Sequence, residues 1–219
     1  MKRASSLGID AFALNIGVDP YTDQQLQFAY ASASQNGMNL FLSFDFNWWH
    51  TGQVQEIGQK IDQYASLPAQ LMVDNKIFVS TFAGDDLNVA ALRASVGKPI
   101  FFAPNFHPSY GTNTSAVDGL LNWMAWPNNG QNKAPTPGQN ISVADGDHEY
   151  ISALGGKAYV ARQLIFLQHF NQYPFHQVSD LFKQLYHPGF SLILAPKYPT
   201  ARTGSFRLTF CGMIDGMRF

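Results

Sequence analysis

The stretch "NLFLSFDF", residues 39–46, decides how this chain folds. In an extended strand successive side chains point to opposite faces, so Asn39, Phe41, Ser43 and Asp45 share one side and Leu40, Leu42 and Phe44 the other. The uniformly apolar side belongs against a layer of helices. Asp45 is thereby sent to the opposite side, at the C-terminal end of the strand, with Asn47, Trp48 and Trp49 close behind it.

Outward from this stretch, similar apolar runs recur: "DAFALNIG" (10–17), "KIFVSTFAG" (76–84), "PIFFAPNF" (99–106), "LLNWMAWP" (120–127) and "KAYVA" (157–161). Segments of helical period separate the first three. Thr22 and Gln25 form a capping-box pattern, Leu26, Ala29, Tyr30 and Ala33 fall on one helix face, and Gly37 supplies a left-handed stop. Val54, Ile57, Ile61 and Tyr64 repeat the pattern, and "DLNVAALRASVG" (86–97) predicts a shorter helix.

Strand, helix and strand at a spacing of roughly 30 residues mark parallel βα units, whose strands are buried on both faces. Such units build either an open doubly wound sheet or a closed barrel. The first loop, "GVDPYTD" (17–23), has one glycine and no Gly-x-Gly-x-x-Gly, which speaks against a dinucleotide site and any nucleotide cofactor. Asn15, Asp45, Thr81, Asn105 and Trp126 stand at the ends of successive strands, where barrel enzymes carry their sites. The expected fold is therefore α/β, a partial (β/α)8 TIM-type barrel over residues 1–161. An irregular tail of residues 162–219 follows, with one strand-like run, "FSLILAP" (190–196). The two parts differ in charge, −5 against +4, within a total of −1.

Composition narrows the function. With 46% hydrophobic and 13% charged residues among 219, the chain reads as globular. A net charge of −1 denies it the basic footprint of a nucleic-acid binder. No apolar stretch approaches the roughly 20 residues that span a bilayer, and Met1 opens no signal-peptide pattern. The single cysteine, Cys211, excludes an internal disulfide and a cysteine-rich zinc site. Asn-x-Ser/Thr triplets at Asn113 and Asn140 offer glycan acceptors if the chain is secreted. Nothing in the sequence points to an oligomer.

Asp45 is the leading candidate for chemistry. A carboxylate at a strand end can act as a base, stabilise developing charge or accept a sugar hydroxyl; the alternative is a structural acceptor. Trp48, Trp49, Trp123 and Trp126 could stack on the C–H faces of sugar rings or simply fill the core. Asp85 and Asp86 reach the same mouth, unless one of them caps the helix near Leu87. Asn15, Asn47, Asn105 and His107 complete the candidate substrate-binding set. His107, Asp145, Asp147 and His148 match no zinc or calcium spacing, and no metal is expected. A Gly-x-Ser-x-Gly nucleophile elbow is missing too.

"GIDAFALNIG", "YTDQQLQFAYASASQNGMNLFLSFDFNWW", "KIFVSTFAGDD", "DGLLNWMAWPNNG" and "YISALGGKAYVA" together resemble the fungal α-1,3-glucanases, or mutanases, of glycoside hydrolase family 71. The resemblance covers residues 2–161 and implies an inverting hydrolase of α-1,3-glucan on a (β/α)8 barrel, extracellular or in the cell wall. Asp45 matches an aspartate of the family implicated in activity. Members also carry an earlier strand and, later, Trp-Asn-Asp-x-Gly-Glu-Ser, whose acids are the leading catalytic pair. Residues 162–219 contain no such motif, so the tail reads as non-family sequence. The expectation is a weak or inactive truncated glucanase, or alternatively a non-catalytic carbohydrate-binding remnant.

Overall fold

The computed structural model describes residues 1–6, 9–123, 143–161 and 208–212, and each apolar run named above that reaches into them contains a strand. Trp126, the Asn140 triplet and the run "FSLILAP" lie outside the described residues. The strands are β1 (Ala11–Ile16), β2 (Asn39–Asp45), β3 (Met72–Val73), β4 (Lys76–Phe82), β5 (Ile100–Phe102), β6 (Gly119–Asn122), β7 (Ala158–Ala161) and β8 (Leu208–Gly212). The α-helices are α1 (Lys2–Ser6), α2 (Thr22–Gln35), α3 (Val54–Tyr64), α4 (Val89–Ser95) and α5 (Val143–Leu154).

The fold is α/β, and its long-range pairing is parallel. β1 pairs with β2, β2 with β4, β4 with β5, and β6 with β7. Amides of Asp118 and Leu121 reach the carbonyls of Phe102 and Pro104 at 2.9 and 2.8 Å, which ties β6 to β5. Apart from β3, neighbours thus follow chain order from β1 to β7. The strand β8, which the sequence reading did not anticipate, lies parallel to β1 on its other side. The short β3 forms a hairpin with β4 through Asp74 and Asn75, both at positive φ (50° and 59°), the geometry of a two-residue primed turn.

Two apolar clusters follow from strand parity. Leu40, Leu42 and Phe44 pack with Leu26, Tyr30, Ile57 and Ile61 from the helices. On the opposite face Ala13, Phe41, Phe78, Phe101, Leu121 and Val160 share a second cluster, drawn from β1, β2, β4, β5, β6 and β7. Phe78 stacks on Phe101 at 5.5 Å and meets Phe41 edge-on at 4.7 Å.

The helices adjust the sequence reading in detail. Leu26, Tyr30 and Ala33 are buried and Gly37 takes φ +62°, as expected. The capping box does not form. Thr22 is already helical and buried, its amide on the Asp19 carbonyl at 3.0 Å, and no side chain caps the helix start. Helix α4 begins at Asn88, whose Oδ1 accepts from the Ala91 amide at 3.0 Å, so neither Asp85 nor Asp86 is its cap. At the N-terminal ends of the strands, Asp118 gathers Arg93 (2.6 Å), Lys76 (3.0 Å) and the Phe102 amide (3.0 Å). Lys157 closes the same end by donating to the carbonyls of Thr114, Ser115 and Val117.

Candidate active site

Asp45 ends β2 on the face away from the helices, and its neighbours fix it. Ser43 Oγ donates to Asn15 Oδ1 at 3.1 Å, and Asn15 Nδ2 donates to Asp45 Oδ2 at 3.0 Å. The Asn47 amide donates to Asp45 Oδ1 at 2.9 Å. Parallel register explains the first two links, because Asn15 lies directly opposite Ser43. Both carboxylate oxygens are thus oriented, and the group stays only half-buried. Its backbone carbonyl accepts from the amides of Trp48 and Trp49, each at 3.0 Å, which winds the chain into a tight turn above the strand.

That turn gives the two tryptophans different fates. Trp48 is 54% exposed and lies over Gly17, where a Cβ would come within 3.3 Å of the indole. Trp49 is 7% exposed, donates Nε1 to the Ile16 carbonyl at 3.1 Å and packs edge-on to Phe44 at 5.4 Å. Of the two roles the sequence left open for these tryptophans, Trp49 takes the core one, its ring built in as a wall. Trp123 is likewise buried, edge-on to Phe82 at 4.8 Å.

After β4 the chain turns through Ala83 and Gly84, both at positive φ (55° and 90°). Gly84 is required there: a Cβ would sit 2.5 Å from the Phe46 ring. The turn presents Asp85, whose Oδ1 accepts from the His107 amide at 2.6 Å. Asn105 bridges to Phe82 and donates to the Leu121 carbonyl at 2.9 Å and the Tyr150 hydroxyl at 3.4 Å, so it ties β4, β5 and β6 together. His107 holds Ser109 through Nδ1 (2.7 Å to Oγ) and stands 3.9 Å from Glu149.

These loops border a cleft of about 540 Å³. Its walls are Phe46, Trp49, His50 and Thr51 from the loop after β2, and Gly84, Asp85 and Asp86 from the loop after β4, with Tyr110 opposite. His50, Thr51 and Tyr110 escaped the sequence reading, because no spacing rule connects loops separated by dozens of residues. Asp147, in α5, is hydrogen-bonded to β6 and β7. It accepts from Asn122 at 3.2 Å and from the Tyr159 hydroxyl, and burial first, then that carboxylate, pushes the Tyr159 phenol above its ordinary range. Among the described residues no group of three His, Cys, Asp or Glu side chains is placed to hold a metal.

An oriented, half-exposed carboxylate thus stands at a strand end, with an exposed indole three residues on. The family model for glycosyl hydrolase family 71 matches residues 1–183. The chain belongs to this family. The family 71 match runs past residue 161, into the segment that reads as non-family by motif. Among relatives, a mutanase of Penicillium rubens is 39% identical over 165 residues, covering 74% of this chain and 36% of that protein. A glucan endo-1,3-alpha-glucosidase of Schizosaccharomyces pombe is 36% identical, covering 58% of this chain and 34% of that one. The family 71 chain described here spans about a third of the length of the curated relatives it matches. A solved GH99 endo-alpha-mannosidase from Bacteroides thetaiotaomicron aligns with a TM-score of 0.58 at 12% identity, over 98% of this chain and 65% of that one. At that identity the likeness is one of fold.

Proposed function

We propose that this family 71 chain acts on α-1,3-glucan, with Asp45 as the carboxylate that touches the reacting glucosyl unit. Inverting hydrolysis uses one carboxylic acid to protonate the leaving oxygen and one carboxylate to take a proton from the attacking water, the two held roughly 6.5–9.5 Å apart. Asp45 is one member of that constellation. The observation that carries this reading is its hydrogen-bonded orientation by Asn15 and the Asn47 amide, at the rim rather than in the core. Trp48 offers the glucan an aromatic face beside it.

The same reading takes the chain-ordered parallel strands and the shared cluster on their second face as a partial (β/α)8 barrel, with residues 1–161 as its body. It places the protein outside the cell or in the wall, where such a polysaccharide is met. The alternative, a binding remnant, draws on the same exposed Trp48 and needs no second carboxylate.

Incubation with insoluble α-1,3-glucan separates these readings, with released reducing sugar and co-sedimented protein measured together. Sugar release that drops by about 10²-fold or more in Asp45→Asn, with circular dichroism unchanged, supports the hydrolase. Co-sedimentation without release, in wild type and variant alike, supports the remnant. Undiminished release in Asp45→Asn overturns the role given to that residue.

A further inference from the structure

The cleft described above is bordered by the segments that follow β2, β4 and β5, and Asp45 and Asn15 are not among its walls. At about 540 Å³ it falls within the size range of small-ligand sites. Its lining is divided in character. Phe46 and Trp49 provide apolar surface, and Tyr110 adds a ring that is 73% exposed. Asp86, His50, Thr51 and the Tyr110 hydroxyl supply polar groups, and among the described residues these side chains make no hydrogen bond of their own. Asp85 is held by the His107 amide at 2.6 Å, and two successive residues at positive φ, Ala83 and Gly84, aim the pair of acids. At Ala83, which carries a Cβ, such backbone is costly, and strain of that kind is concentrated at functional sites.

The chemistry of this lining selects its ligand. Two carboxylates repel an anion. Aromatic walls suit the bare C–H face of a sugar ring. A neutral ring with an apolar face and a rim of hydroxyls, each both donor and acceptor, satisfies all of these groups. We propose that this cleft is an accessory subsite for a glucose unit of the bound glucan, distinct from the unit held at Asp45. The loop of residues 45–51 carries Asp45 at one end and His50 and Thr51 at the other, so one polysaccharide strand passes both. This inference rests on the glucan reading above.

Its test is the length dependence of affinity for α-1,3-linked glucose oligomers of two to six units. Isothermal titration calorimetry is run on Asp45→Asn protein, and then with Tyr110→Ala or Asp86→Asn added. Both added positions are exposed, and circular dichroism confirms that each variant is folded. The six-unit oligomer should bind more tightly than the two-unit one, and each added substitution should cut that ratio about tenfold, toward unity. A ratio that survives both substitutions overturns the subsite and leaves the glucan reading standing. If no oligomer binds at any length, the glucan reading fails and the subsite with it.

Discussion

Trp48 and Trp49 are adjacent in the chain, and substitution should separate them by readout. Trp48 is more than half exposed, so Trp48→Ala should leave the melting temperature unchanged within about 2 °C. Its loss should weaken retention on α-1,3-glucan by roughly 3- to 10-fold, the worth of one aromatic contact, in a co-sedimentation assay. Trp49 is buried and spends its indole N–H on the Ile16 carbonyl. Trp49→Ala therefore leaves a cavity and an unpaired carbonyl, at a cost of about 3–5 kcal/mol. The melting temperature should fall by roughly 10 °C, as read by differential scanning calorimetry. Equal effects of the two changes on stability would contradict the division between platform and wall.

Between elements, α3 and α4 approach closely. Gly58 in α3 faces Ser95 at the end of α4, and a Cβ built there would come 2.6 Å from the Ser95 carbonyl oxygen. Ser95 Oγ meanwhile donates to the Val54 carbonyl at 2.8 Å, so the serine cannot swing away without loss. Helix propensity alone would make Gly58→Ala stabilising by about 1 kcal/mol. Overpacking against backbone costs about 1–3 kcal/mol, and because the obstructing atom is backbone, that term wins. Gly58→Ala is thus expected to lower the urea midpoint, whereas alanine at Gly52, with nothing within 4 Å of its Cβ, should not. The cap of α4 is the other decisive element feature: Asn88→Ala should cost about 1 kcal/mol in the same assay.

For the whole molecule, the end of the strands opposite the candidate site is held by charge. Burial works against ionisation of Asp118, but the Phe102 amide, Arg93 and Lys76 outweigh it and hold its carboxyl below the ordinary value of 3.8. A group whose pKa is depressed on folding contributes stability above its unfolded value and loses it as pH falls through the folded one. Stability from this network should therefore be complete near neutral pH and be lost progressively as pH falls below about 4. Urea titrations at pH 7 and pH 3 test this. Asp118→Asn should lower stability at pH 7 and shrink the difference between the two pH values. In contrast, the Lys60–Asp23 pair joins a mostly covered lysine to a carboxylate that is half exposed, where solvent screens the pair, and its removal should change less than that of Asp118.

Local pattern in the sequence was enough to determine the strands from β1 to β7 apart from the short β3, the helices α2 to α4, and the face on which Asp45 stands. Burial on both sides of a parallel strand and the two-residue alternation of side chains are both local properties. The capping box was misread because Thr22 has the right neighbours but the wrong place in the turn that precedes it. Tertiary structure alone decided that Asn15 orients Asp45, that Trp48 is open while Trp49 is closed, and that His50, Asp86 and Tyr110 border one cleft. It also placed β8 beside β1. These depend on register between strands and on loops far apart in the chain, and no periodicity within a single segment records which distant segment it will meet.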